Sequence, residues 1–133
     1  MADVKYAKEW LSFAQDDYDF AVGAQQHFWP KHMAKICYHC QQATEKALKA
    51  VLAYNEVLIP RTHNIERLIE ECAKLNHHVH IDELIASKMT DFATISRYPD
   101  EDIDCTEADV QIALKCAKYI LESVTKYIEN SHV

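Results

Sequence analysis

A narrow polar stripe crosses an otherwise apolar segment between about residues 31 and 55. Its members follow the i, i+3, i+4, i+7 spacing of one helix face, and they are Gln42, Glu45, Lys46 and Lys49. The two lysines could bind phosphate, with the Gln42 amide donating beside them. Two alternatives stay open, namely an intrahelical charge pattern worth about 0.2–0.5 kcal/mol per pair and polar contacts across a dimer interface.

A second set of candidate residues lies near predicted helix ends. His63 precedes a helix N-terminus, a setting suited to an anion, and the alternative is a local cap or loop contact. Arg97 could bind phosphate in bidentate fashion or pair with the acidic loop that follows it, and Tyr98 is a candidate ligand contact beside it. Together, His63 and Arg97 form a candidate pair for proton transfer and stabilisation of transition-state charge.

Other chemical patterns in the sequence favour packing. Cys37 and Cys40 have chelating spacing, but no second pair follows at the distance of a zinc site. The histidine-rich segment 77–80 is interpreted as a solvated loop. A single glycine, Gly23, excludes a glycine-rich phosphate loop. We therefore predict no metal and no cofactor, and we expect the five cysteines to be free thiols.

Composition bounds the class of protein. The chain has 133 residues with 49% apolar residues, enough for one domain, residues 1–133, with a real hydrophobic core. Its formal charge of −7 excludes a diffuse positive field, so any nucleic-acid contact must be local. Neither a signal peptide nor a membrane-spanning run is evident, which predicts a cytoplasmic protein without membrane contact.

Hydrophobic periodicity predicts an all-α fold, an antiparallel up-and-down bundle of four to five helices. Four helices are predicted at about residues 3–25, 31–55, 65–75 and 84–96, with Pro30 suited to a first turn and Thr62 or Asn64 as the N-cap of the third. A fifth helix follows an N-cap at Thr106. The second helix should lie at the centre of the bundle, with only its polar stripe accessible.

Several motifs together resemble the HEPN domain family over roughly residues 4–128. The strongest part is Gln41-Gln42-Ala43 followed by Glu45-Lys46 and Leu48-Lys49-Ala50. Supporting motifs are Trp10 and Asp17 in the first helix, Thr62-His63-Asn64 with Leu68, and Arg97-Tyr98-Pro99. The resemblance implies a helical bundle, commonly a homodimer, from a family associated with nucleotides and RNA.

The resemblance also implies partners and an alternative activity. Many HEPN chains accompany a separate minimal nucleotidyltransferase in a two-component, often toxin–antitoxin, system. Others are metal-independent ribonucleases whose signature is an arginine followed four to six residues later by a histidine. No histidine stands at that spacing after Arg61, Arg67 or Arg97. We therefore expect a non-catalytic homodimeric module; the alternatives are an endoribonuclease using a rearranged His63/Arg97 pair and a purely structural dimerisation unit.

Overall fold

The structure, a computed structural model, describes residues 2–94 and 105–131. These ranges form five α-helices, α1 (Val4–Phe28), α2 (Met33–Tyr54), α3 (Ile65–Lys74), α4 (Glu83–Asp91) and α5 (Glu107–Ser131). No β-strand occurs within them. The predicted all-α antiparallel bundle is confirmed.

Helix α2 is the centre of the bundle, as predicted. It packs against each of the other four helices. Fifteen of its 22 residues are buried, including every residue from Ala47 to Tyr54. Such burial around most of the circumference explains why this helix has apolar residues on more than one face.

A line of alanines lets α1 approach its neighbours closely. Ala7, Ala14 and Ala21 stand seven residues apart, two helical turns each, and all are fully buried. Helix α1 packs chiefly against α2 and also against α5. Because an alanine side chain is short, helix axes can come near each other along this line. The Asp3 amide also donates to the Tyr54 carbonyl at 2.9 Å, which ties the start of α1 to the end of α2.

Side-chain caps fix where the later helices begin. Asn64 accepts from the Arg67 amide at 2.9 Å, so of the two predicted caps Asn64 is the one used for α3. Thr106 accepts from the Asp109 amide at 3.1 Å, and Asp109 accepts from the Thr106 amide in return. This reciprocal pair confirms the cap predicted for α5.

Three helix boundaries differ from the predictions. Helix α1 continues to Phe28, past the predicted end at residue 25. Helix α2 starts at Met33 behind an N-cap at His32, so Pro30 lies before the helix and not in its first turn. Helix α4 ends at Asp91 with a short turn after it, whereas the apolar spacing had extended it to residue 96, which lies outside the described ranges.

Two helices are followed by a residue other than glycine in the left-handed backbone conformation. Glu56 (φ 56°) follows α2, and Asn76 (φ 62°) follows α3. Beyond each, an amide donates back to the last turn at 3.0 Å, from Val57 to the Leu52 carbonyl and from His77 to the Cys72 carbonyl. This pattern satisfies carbonyl groups that a helix end otherwise leaves unpaired.

The segment 77–80 is only partly the solvated loop that the sequence suggested. His77 and Val79 are buried, whereas His78 and His80 are exposed. The His77 ring packs edge-on against Tyr127, and its Nε2 lies 3.2 Å from Ser123 Oγ. The His77 side chain therefore anchors this segment to α5, and the His80 amide adds a hydrogen bond to Tyr119 Oη at 3.1 Å.

Within the described ranges, no helix combines the length and apolar character that crossing a membrane demands.

Stability should depend on pH through His77. Burial lowers its pKa below the ordinary 6.5, so the unfolded chain takes up a proton at a pH where the folded chain does not. The free energy of unfolding should therefore fall as the pH drops through the range just below 6.5. Urea unfolding across this range will measure the slope. His77→Asn should flatten it and His80→Asn should not; equal slopes in both variants would contradict the assignment.

Candidate functional site

The candidate site is built around the buried carboxylate of Glu45, which is 4% exposed. Its Oε1 lies 2.7 Å from His63 Nδ1 and accepts from Gln41 Nε2 at 3.1 Å. Its Oε2 accepts from Lys49 Nζ at 3.0 Å. Both carboxylate oxygens thus have charged or polar partners, as a buried carboxylate requires. The His63 side chain is half exposed, so Glu45 orients an imidazole at the protein surface.

Lys49 is enclosed on the other side of Glu45. Its ammonium lies 5.8 Å from the centre of the Trp10 ring on α1, which adds a cation–π contact to the ion pair. The residue is 7% exposed. The prediction that the whole stripe stays accessible is therefore wrong for Glu45 and Lys49, because α1 and the loop before α3 cover them.

A second carboxylate, Asp17 on α1, organises the neighbouring face of α2. Asp17 Oδ1 lies 2.9 Å from His39 Nδ1, and Oδ2 accepts from Lys46 Nζ at 2.6 Å. Phe20 packs on the His39 ring with the ring centres 4.5 Å apart. The His39 and Lys46 side chains are each more than one quarter exposed, so their polar atoms are within reach of a ligand.

Gln42 extends the Glu45 cluster. Its Nε2 donates to Gln41 Oε1 at 2.6 Å, while Gln41 in turn donates to Glu45. Gln42 also stands four residues before Lys46, so the two clusters are neighbours on one face of α2. The two clusters are together named the polar strip, which consists of Asp17, His39, Gln41, Gln42, Glu45, Lys46, Lys49 and His63. Each carboxylate in it holds one imidazole and one ammonium group. With neutral imidazoles the strip has no net charge, and it presents N–H donors to an anion.

The structure brings five of the seven predicted site residues together. Gln42, Glu45, Lys46, Lys49 and His63 all lie in the polar strip. Arg97 and Tyr98 lie outside the described residues, so the His63/Arg97 pair stays a prediction.

Asp17, His39 and Gln41 were not among the predicted site residues, although Asp17 and Gln41 belong to the motifs that carry the family resemblance. A signal for Gln41 existed, because it stands four residues before Glu45 on the same helix face. His39 likewise stands seven residues, two turns, before Lys46. Asp17 belongs to another helix, and no spacing rule connects it with α2.

Cys37 and Cys40 are buried free thiols whose ionisation is unfavourable. Burial raises the pKa of the Cys40 thiol to about 12. The pKa of Cys37 is raised well above its ordinary range, chiefly by a hydrogen bond with Cys105 and secondly by burial. A thiol must ionise to act as a nucleophile or a metal ligand. Over residues 2–94 and 105–131, no three His, Cys, Asp or Glu side chains are grouped to hold a metal.

Removing the Glu45 carboxylate should cost much more stability than removing a surface one. Glu45→Ala leaves Lys49 charged and buried, and we expect a loss of about 3–5 kcal/mol in urea unfolding. The control is Glu71→Ala, which breaks the exposed pair with Lys74 and should cost less than about 1 kcal/mol. The double change Glu45→Leu with Lys49→Met should recover most of the loss. Similar losses for Glu45→Ala and Glu71→Ala would contradict this account.

Solved structures with a similar fold include two that cover nearly the whole chain. The chain is 26% identical to TT1696 from Thermus thermophilus, with a TM-score of 0.70 over 90% of this chain and 96% of that one. It is also 26% identical to ST0689, an archaeal HEPN homologue, with a TM-score of 0.64 over 93% and 98% of the two chains. No curated protein matches the chain.

The HEPN domain model matches residues 7–127, nearly the whole bundle and all of the polar strip. The chain therefore belongs to the HEPN domain family.

Proposed function

We propose that this HEPN chain is a non-catalytic interaction module that acts as a homodimer in the cytoplasm. Its partner is a separate minimal nucleotidyltransferase chain in a two-component, toxin–antitoxin-like system. The HEPN chain itself contacts nucleotide or RNA. Family membership supports the helical-module part of this proposal. The partner and the system rest on what HEPN chains of this kind commonly do.

The observation that carries the proposal is the pairing inside the polar strip. Lys46 and His39 share the Asp17 carboxylate, and His63 and Lys49 share that of Glu45. Donor groups fixed in this way are held in one geometry, which suits recognition of an anion at low entropic cost. The absence of the ribonuclease Arg/His spacing agrees with binding in preference to cleavage.

Nucleotide contact would fall on the accessible part of the strip, namely His39, Gln42, Lys46 and His63. These groups supply imidazole, amide and ammonium donors for phosphate oxygens. Since the chain as a whole carries a charge of −7, the attraction must be short-ranged. We therefore expect binding that involves few phosphates and depends only modestly on salt.

The nucleotide contact predicts an effect of Lys46→Gln, which removes the charge and keeps a donor for Asp17. With a fluorescein-labelled single-stranded RNA, anisotropy should show about five- to tenfold weaker binding. The slope of log affinity against log salt should fall by about 0.7, one phosphate contact.

The matched control is Lys8→Gln, at an exposed lysine of α1 that makes none of the strip's hydrogen bonds. Equal loss in both variants would count against the strip as the contact. If light scattering shows a dimer and the chain binds neither RNA nor ATP, the third alternative, a purely structural dimerisation unit, is favoured.

One observation favours a second candidate function, metal-independent endoribonuclease activity. Glu45 Oε1 lies 2.7 Å from His63 Nδ1, the arrangement by which a carboxylate orients an imidazole for proton transfer. Arg97 would stabilise charge on the phosphate in this alternative.

Cleavage of a transcript in EDTA distinguishes the two functions. The preferred proposal expects no cutting above that of a mock preparation. The enzyme alternative expects cutting that both His63→Ala and Arg97→Ala abolish, while His80→Ala, at an exposed histidine outside the strip, leaves it unchanged. Cutting that survives in both variants would exclude this pair as its source.

A further inference from the structure

The corner where α1 passes into α2 has a charge opposite to that of the chain. Residues 20–44 contain no aspartate or glutamate, although the chain has 21 acidic residues. The same stretch contains Lys31, Lys35 and three histidines. The nearest preceding carboxylates are already engaged, since Asp19 accepts from Gln15 and Asp17 holds His39 and Lys46. The corner is therefore complementary to an anion.

An aromatic-walled cavity opens at this corner. Its lining comes from Phe20, Ala24 and Phe28 on α1, at a spacing of four residues, and from His32 and Lys35 at the start of α2. Phe20 and Phe28 are 55% and 53% exposed. Eight residues of helix place these two phenylalanines about 12 Å apart, with the small Ala24 side chain between them. The result is a slot with an aromatic ring at each end.

The size of the slot selects a small ligand. Its volume is about 140 Å³. An apolar cavity of about 150 Å³ in another protein holds one benzene molecule. The slot is therefore of a size to hold a single six-membered ring.

We propose that this cavity binds a small aromatic anion, a single ring that carries a phosphate or a carboxylate. The ring contacts Phe20 and Phe28, where aromatic pairs gain beyond simple area burial. The anion lies against the Lys35 ammonium, with a ring N–H of His32 as a second donor. His32 is already held edge-on against Phe28, with ring centres 5.4 Å apart. This site adjoins the polar strip through Phe20, which packs on His39, but it does not require the proposed function.

Titration of the ¹⁵N-labelled chain with phenyl phosphate and with phenylacetate tests the proposal by NMR. Either compound should shift amide signals of residues 20, 24, 28 and 35, and the stronger of the two identifies the preferred anion. Inorganic phosphate and cyclohexylacetate are the comparators, because they lack the aromatic ring. Both should bind at least about fivefold more weakly, given the contribution of aromatic contacts.

Matched variants locate the contact. Phe20→Leu and Phe28→Leu keep an apolar side chain, and each should weaken binding about fivefold or more. Lys35→Gln should weaken it similarly by removing the charge. Phe13→Leu and Lys8→Gln are the controls, because both residues are exposed on α1 and neither lines the cavity. The substituted positions are exposed, so a dispersed spectrum should confirm that each variant folds.

Three outcomes would overturn the proposal. One is the absence of shifts at these amides at millimolar ligand. Another is equal binding of inorganic phosphate and phenyl phosphate, which would mean that only an adventitious ion is attracted. Loss of binding in Lys46→Gln with no loss in Phe20→Leu would also reject the cavity and place the anion on the polar strip.

Discussion

The buried carboxylate of Glu45 is the interaction on which the arrangement of the site depends. An ionised carboxylate away from water is costly unless each oxygen has a partner, and these partners come from different parts of the chain. Gln41 and Lys49 belong to α2, His63 belongs to the loop before α3, and Trp10 of α1 covers Lys49. The site is complete only when α1, α2 and this loop are all in place. One charge therefore couples the local chemistry to the packing of the bundle.

Features that depend on local rules were predictable from the sequence. The apolar positions on more than one face of α2 predicted its central place, and Asn64 and Thr106 were recognisable as caps because capping depends on residues within one turn. Helix ends were harder to place where the apolar spacing runs on, as at Phe28. There the helix continues for three residues beyond the predicted end.

The site itself was only half predictable, for a physical reason. Helical spacing groups Gln42, Glu45, Lys46 and Lys49 on one side, but it carries no information about what covers them. Burial of Lys49 depends on Trp10, 39 positions earlier in the chain, and the charge of Lys46 is met by Asp17 on the same helix as Trp10. Packing decides which side chains of different helices meet. Sequence periodicity shows only which residues share a face of one helix.

The distribution of glycine has a consequence for how this backbone is held. Gly23, the single glycine, lies inside α1 with open space around its α-carbon, where alanine would favour the helix by roughly 0.5–1 kcal/mol. Left-handed conformations occur instead at His32, Glu56 and Asn76. Asparagine and histidine adopt this conformation more readily than most residues, so the cost of a β-carbon falls chiefly on Glu56. Intrinsic backbone preference thus works against the fold at Gly23 and at Glu56. Side-chain packing must overcome this preference. A variant with alanine at position 23 and glycine at position 56 would therefore keep the same fold with less backbone strain.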